Sequence, residues 1–201
     1  MSEKPFAPPA SLEAGFAACL RLLGRAAADE RSPMHTAAFA TRGPEGFGVR
    51  TVVFRAFHAA GRLLDCHSDI RAGKIAAVRL DPRVEWLFWH PRHQVQLRIA
   101  AEASLHSQDA DAETAWRALS PATRLHYSAR TMPGTEIGTV QDGIGAYTAY
   151  ADLPAADPDA WFPNFCLIRC RMTSMEALWL SREGHRRARF SPDGSGTWLV
   201  P

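Results

Sequence analysis

Residues 94–106 constrain the chain most. Val95, Leu97, Ile99, Ala101 and Ala103 fall on one side of an extended strand, and Gln94, Gln96, Arg98 and Glu102 fall on the other. A long strand with one apolar and one polar face needs neighbours on both edges and cover on its apolar side. The flanking segments supply neighbours. Residues 34–40, 48–57, 62–67 and 83–89 read as strands rich in Val, Phe and Trp. Residues 162–180 read as a longer strand bent near Thr173-Ser174. Residues 186–191 and 197–200 form a closing hairpin about Pro192-Asp-Gly-Ser-Gly196. The first three strands are joined by short turns, which predicts an antiparallel meander.

Helices are few. Ser11 caps a helix reaching about Ala28, with Leu12, Phe16, Leu20 and Leu23 as its apolar stripe. Residues 69–80 read as a helix capped by Ser68 or Asp69 and stopped by Asp81-Pro82, and residues 109–119 and 121–129 as two short ones. Residues 130–161, broken by Gly and Pro, read as one long loop. Six to eight strands with few helices predict a mainly β fold, a small antiparallel β-barrel rather than a sandwich, built as a single domain over residues 1–201.

Composition narrows function. Lys plus Arg is 23 and Asp plus Glu is 21, a net charge of +2, which makes no general electrostatic case for nucleic acid or an anionic membrane. Lys occurs only at Lys4 and Lys74, so the positive charge is nearly all Arg, the side chain suited to phosphate and carboxylate. No segment approaches the roughly 18 apolar residues of a membrane span. The first residues carry no signal-peptide pattern, so the expectation is a cytoplasmic protein. Cys19, Cys66, Cys166 and Cys170 form no CxxC pair. Cys166 and Cys170 on one strand stand too far apart for a disulfide, so four thiols are expected.

The chemistry-bearing residues cluster between Arg50 and Ala103. Ser68 at a helix start and Lys74 in its second turn would add a hydroxyl and a charge to unpaired amides, which describes a phosphate pocket; taken alone, an ordinary capped helix is the commoner explanation. Arg50 and Arg55 flank an apolar run and point to opposite faces of a regular strand, so one ligand meets both only through a bulge, a strand end or a partner subunit. Gln96 and Arg98 share a face, and Gln offers both a donor and an acceptor to a flat polar ring. Trp179 and Arg189 form a weaker pair. His90-Pro-Arg-His93 resembles a metal pair only loosely, with no third ligand apparent, and a metal is rejected. No Gly-rich phosphate loop occurs. No catalytic residue can be singled out.

In this order and spacing the signals resemble the pyridoxamine 5′-phosphate oxidase-like family of FMN-binding split barrels. The carriers are Arg50-Thr-Val-Val-Phe-Arg55, Ser68-Asp69-Ile-Arg-Ala-Gly-Lys74, Asp81-Pro82, Gln96-Leu-Arg98-Ile-Ala-Ala-Glu-Ala103, and Trp179 with Arg189-Phe190 ten residues on. The resemblance implies a homodimer with FMN at the subunit interface. Arg50, Thr51, Val52, Val53 and Arg55 would line the flavin. Ser68 and Lys74 would hold its phosphate and Gln96 would meet the isoalloxazine. Trp179 and Arg189 would come from the other subunit. His67 stands at a position often aromatic in the family. His185 and Arg187 would meet a small-molecule substrate. Ala72 and Gly73 stand where the family has Ser and Arg, and Ala188 where it has Asp. These departures imply an FMN-binding side branch, an oxidoreductase of unstated substrate. Two further readings stay open: an authentic pyridoxamine 5′-phosphate oxidase, and a non-catalytic FMN or haem binder.

Overall fold

The alternation of residues 94–106 becomes β6 (Val95–His106), the middle of the sheet. Its Val95, Leu97 and Ile99 are fully buried while Arg98 faces solvent. The computed structural model describes residues 8–44, 46–138 and 159–201. Within them the other strands are β1 (Thr36–Gly43), β2 (Gly46–Val53), β3 (Ala56–His58), β4 (Leu63–Asp69), β5 (Arg83–His90), β7 (Phe165–Trp179), β8 (Arg186–Phe190) and β9 (Gly196–Leu199). The helices are α1 (Leu12–Ala28), α2 (Gly73–Leu80), α3 (Ala110–Arg117) and α4 (Pro121–Arg124), the last continuing as a 3-10 turn at Leu125–Tyr127. The strand count is nine rather than six to eight, because β3 and β9 are very short ladders.

All pairings given by the register are antiparallel, in the order β2-β1-β5-β6-β7-β4-β3, with β8 and β9 added beside β7. The expected three-strand meander holds only in part, because the expected second strand, residues 48–57, is broken into β2, which pairs with β1, and β3, which pairs with β4. β1 and β2 make a hairpin, but β4 pairs with β7 and β3. The physical reason lies at Phe54-Arg55, where the strand stops. The Phe54 amide donates to His35 O at 2.8 Å, and the next amide, of Arg55, donates to Asp65 O at 2.9 Å. Two successive amides thus serve opposite ends of the sheet. The sheet curls until its first and last edges are joined by continuous chain, an open, split barrel.

The core fills the barrel. Phe39, Phe54 and Phe88 surround Trp86, with ring centroids 4.9, 5.7 and 5.7 Å away. Ser11 caps α1 as expected, its Oγ accepting from Ala14 N–H. The buried face of α1 runs through Phe16, Cys19, Leu22, Leu23 and Ala26, and Leu12 and Leu20 lie at its rim. The β8–β9 turn docks on α1: Gly194 has φ of +95°, and a Cβ there would stand 3.0 Å from the Phe16 ring. All four cysteines are free and buried.

β7 bends where expected. Ala100 pairs with Ser174 but Ala101 pairs with Met172, so Thr173 is an extra, bulged residue. Before the bulge Cys166, Ile168, Cys170 and Met172 point into the core; after it Met175, Ala177 and Trp179 do. The bulge reverses which residues face out. The first half of β7 is covered on both sides, its Phe165 and Leu167 packing with Trp116 and Tyr127 in a second small core under α3. Of the long loop, residues 139–158 lie outside the described residues.

Candidate functional site

The residues singled out in sequence fall into three places. The first is a cleft of about 670 Å³ between the β1–β2 hairpin and α2, lined by Thr41, Gly48, Arg50, Gly73, Ala77 and others. Cross-strand register sets Thr41 opposite Gly48, and Arg50 reaches over to donate to Thr41 Oγ1 at 2.8 Å and Phe39 O at 3.2 Å. Lys74, in the first turn of α2, donates to Ser68 Oγ at 2.9 Å. Burial pushes the Lys74 ammonium below its usual range, and the positive charge of Arg50 pushes the same way, so the two cations sense each other. Burial also lowers Arg50. No carboxylate pairs with either among the described residues, whereas Arg71, Arg83, Arg98 and Arg169 all have one.

The expected cap is corrected here. Ser68 does not start a helix: it is the next-to-last residue of β4, its hydroxyl donating to Asp69 O. The helix begins four residues later than expected, at Gly73 rather than Asp69, because Asp69 is taken by Arg71, whose Nε and NH2 donate to it at 2.9 and 2.6 Å. Ala72 stands at the N-cap and makes no side-chain bond, so no side chain closes the first amides of α2. Added Cβ atoms at Gly73 would meet nothing within 4 Å, which leaves the approach open. Two cations without anions, a hydroxyl and an uncapped helix start fit a phosphate group.

The second place is on the other side of the chain. Arg55 and His67 line a cleft of about 460 Å³ with His35, His58, Asp65, Thr114 and Arg169. Arg50 and Arg55 thus face different clefts within one subunit. Arg55 makes no side-chain ion pair or hydrogen bond among the described residues. Behind it Asp65 is buried, held by Arg169 Nε at 3.1 Å and NH2 at 2.9 Å, and met by His58 Nε2 at 2.9 Å. His67 packs edge-on against Phe165, and its Nδ1 is buried with no partner.

Burial, with Arg55 nearby, lowers the His67 imidazolium to about 4 from 6.5. An unfolded chain therefore takes up this proton near pH 6.5, while the folded one waits until about pH 4. Stability is full above the higher value and falls as pH drops through that window, by at most about 3 kcal/mol. Denaturant titrations from pH 7 to pH 4 should show His67→Asn losing less stability over this range than the parent. Parallel curves would show that this proton is not coupled to folding.

The third place is the outer face of the sheet, opposite the core. Gln96 and Arg98 of β6 sit beside Leu178 and Glu176 of β7, which sit beside Arg187 and Arg189 of β8. Trp89 pairs with Gln96 and is part exposed. Of the remaining candidates, Thr51 faces solvent, Val52 is buried and Val53 is half-buried. Trp179 is not presented to a ligand within its own subunit: it is 2% exposed, packed in the core with its ring edge toward Trp198. The bulge at Thr173 turned it inward. The His185 Nδ1 accepts from Ser181 N–H and braces the β7–β8 turn, and His185 lines a surface hollow with Arg187 and Trp198. His90 and His93 stack with ring centroids 4.0 Å apart, and among the described residues no group of three or more potential ligands could hold a metal.

Sequence reasoning missed Thr41, Asp65, Arg169 and Glu176. Thr41 was reachable by counting back across the β1–β2 turn. The other three depend on which strands pair, a non-local matter.

Residues 18–107 match the family model described as pyridoxamine 5′-phosphate oxidase, FMN-binding domain. No curated protein matches the chain. Among solved structures, a pyridoxamine 5′-phosphate oxidase-related, FMN binding protein of Nostoc punctiforme is 25% identical, with 92% of this chain and 96% of that one covered and a TM-score of 0.72. PhzG of Burkholderia lata, solved with tetrahydrophenazine-1-carboxylic acid, is 17% identical over 99% of this chain and 100% of its own, with a TM-score of 0.75. A protein related to general stress protein 26 from Clostridium acetobutylicum has a TM-score of 0.54 at 8% identity, covering 90% and 96%. Residues 18–107 thus resemble the FMN-binding domain of pyridoxamine 5′-phosphate oxidase, and the fold is the antiparallel split barrel of these solved structures.

Proposed function

We propose that the protein binds FMN and acts as an oxidoreductase on a small molecule, as a two-fold dimer. The observation that carries this is the pair of Arg50, which lines the cleft, and Lys74, which follows the cleft-lining Gly73 at the start of α2: two part-buried cations with no carboxylate on either among the described residues. A cation that costs desolvation and has no internal anion is best explained by an external one. One such pocket, without a Gly-rich loop for a second phosphate, favours a mononucleotide. Bound flavin supplies a two-electron acceptor, and the protein's part is to hold and orient it. Arg50 and Lys74 would neutralise the phosphate. Gln96 would offer donor and acceptor to the pyrimidine edge, and Arg189 a guanidinium to the same ring system.

The three places are separate on one subunit, and one ligand would meet them together only with a second copy. The outer face argues for that copy: Phe47 and Val49 are 81% and 66% exposed, and Leu87 and Trp89 extend the apolar area across β5. Such a face needs cover, and a two-fold interface covers it on both copies at once. No helix among the described residues is long and apolar enough to cross a membrane. Purified protein should carry a yellow chromophore, released by heat as FMN. Light scattering should give twice the 22.1 kDa chain mass. FAD at full occupancy, or a monomer with flavin bound, defeats the reading.

A further inference from the structure

Among the described residues a dense cluster of charge lies on the outer face. Glu176 is its hub. Arg187 donates to Glu176 Oε1 from Nε at 3.1 Å and from NH2 at 2.6 Å. Arg98 NH1 lies 3.5 Å from the same oxygen, and Arg189 NH2 lies 3.5 Å from Oε2. The Arg98 Nε and NH2 are turned the other way, to Glu85 Oε1 at 2.8 and 2.7 Å. Three guanidinium groups are thus counted against two carboxylates. They are not equally occupied. Arg187 is held by a short two-point contact and is 32% exposed; Arg189 has one long contact and is 59% exposed. Burial works against the charge of Glu176, yet Arg187, Arg98 and Arg189 together keep its carboxyl below the usual range, so it stays an anion.

The arrangement follows from local sequence. Arg98, Glu176 and Arg189 are direct cross-strand neighbours on β6, β7 and β8, and Arg187 is diagonal to Glu176. Glu176 faces out only because Thr173 is bulged. A face that presents three arginines would recruit a dianion strongly. The same face with Glu176 among them presents one lightly held guanidinium, Arg189.

We propose that Glu176 is a specificity-determining residue: it occupies Arg187 and screens Arg189, so that the outer face admits a neutral or singly charged ligand and turns away a phosphorylated one. The inference deepens the reading of this face as a ligand face and rests on it. Repulsion of this kind is a usual means of discrimination.

The test compares pyridoxine 5′-phosphate with pyridoxine, probes that differ only in the phosphate. Both are titrated calorimetrically into the protein as purified, with flavin content read on the same samples. Glu176→Gln keeps the shape and removes the charge. Lifting one anion from beside a dianion about 7 Å away is worth on the order of ten-fold at the dielectric of bulk water, which an exposed face approaches. Glu176→Gln should therefore bind the phosphorylated probe about ten-fold tighter than the parent, with pyridoxine unchanged, and the gain should shrink with added salt. Glu176→Gln with Arg187→Gln should lose the gain. Glu176→Asp, which keeps the charge, should keep the parent's ratio; Glu176→Ala serves should the amide not fold. A folded Glu176→Gln with no gain, a gain shared by pyridoxine, or a gain that survives in the double variant overturns the proposal. Absence of flavin from all samples defeats the proposed function instead and leaves the charge comparison readable.

Discussion

Lys74→Ala and Arg50→Ala should each weaken FMN binding by about 1.5–3 kcal/mol, roughly 10- to 150-fold in Kd. Both cations are part-buried with only neutral acceptors, Thr41 Oγ1 and Phe39 O for Arg50 and Ser68 Oγ for Lys74. Their charge is therefore available to a ligand, and removing either leaves a phosphate less neutralised. Because the charge of Arg50 lowers the tendency of Lys74 to stay charged, the double variant should lose less than the sum. Arg71→Ala is the control. Its guanidinium is close in sequence but closed on Asp69 and the Ala129 carbonyl, so it should leave FMN affinity within about three-fold while costing stability. Fluorescence quenching of FMN on titration gives all four values. Equal losses in Arg71→Ala and Lys74→Ala would mean that net charge, not the cleft, holds the flavin.

Asp65→Ala should be among the most destabilising single changes, about 3–5 kcal/mol. The carboxylate is 4% exposed and is the common partner of Arg169 and His58. Arg169 in turn reaches Asp111 at 2.8 Å, so Asp65 ties β3, β4 and β7 to α3. Its side-chain bonds to Asp65 and Asp111 hold the Arg169 guanidinium above its ordinary range. Truncating Asp65 leaves that charge half-buried with one exposed partner. Replacing both ends, as Asp65→Leu with Arg169→Met, removes the stranded charge and should recover most of the loss. Urea unfolding curves measure both. A cost under about 1 kcal/mol for Asp65→Ala would show that the cluster is solvated and of little weight.

The local parts of this molecule were legible in its sequence. Ser11 and the apolar positions after it make α1. Strict alternation in residues 94–106 makes β6, and Gly and Pro clusters mark the hairpins. The irregular Thr173-Ser174 step marks the bend in β7. Each rests on contacts between residues a few positions apart, so the information is in the order of side chains alone. The candidate cations, Arg50, Lys74 and Arg189, were legible for the same reason: charge type at a strand or helix end is written residue by residue.

What only the tertiary structure decided is which of these meet. Pairing of β4 with β7 rather than β2 turns on two amides at Phe54-Arg55 that reach opposite ends of the sheet, and no periodicity encodes that choice. It places Arg50 and Arg55 in separate clefts. The start of α2 at Gly73 follows from Arg71 capturing Asp69 and reaching Ala129 across the fold. The single extra residue at Thr173 inverts the parity of β7, burying Trp179 and bringing Glu176 out among three arginines. Strand parity is a running count, so one bulge decides every side chain that follows it.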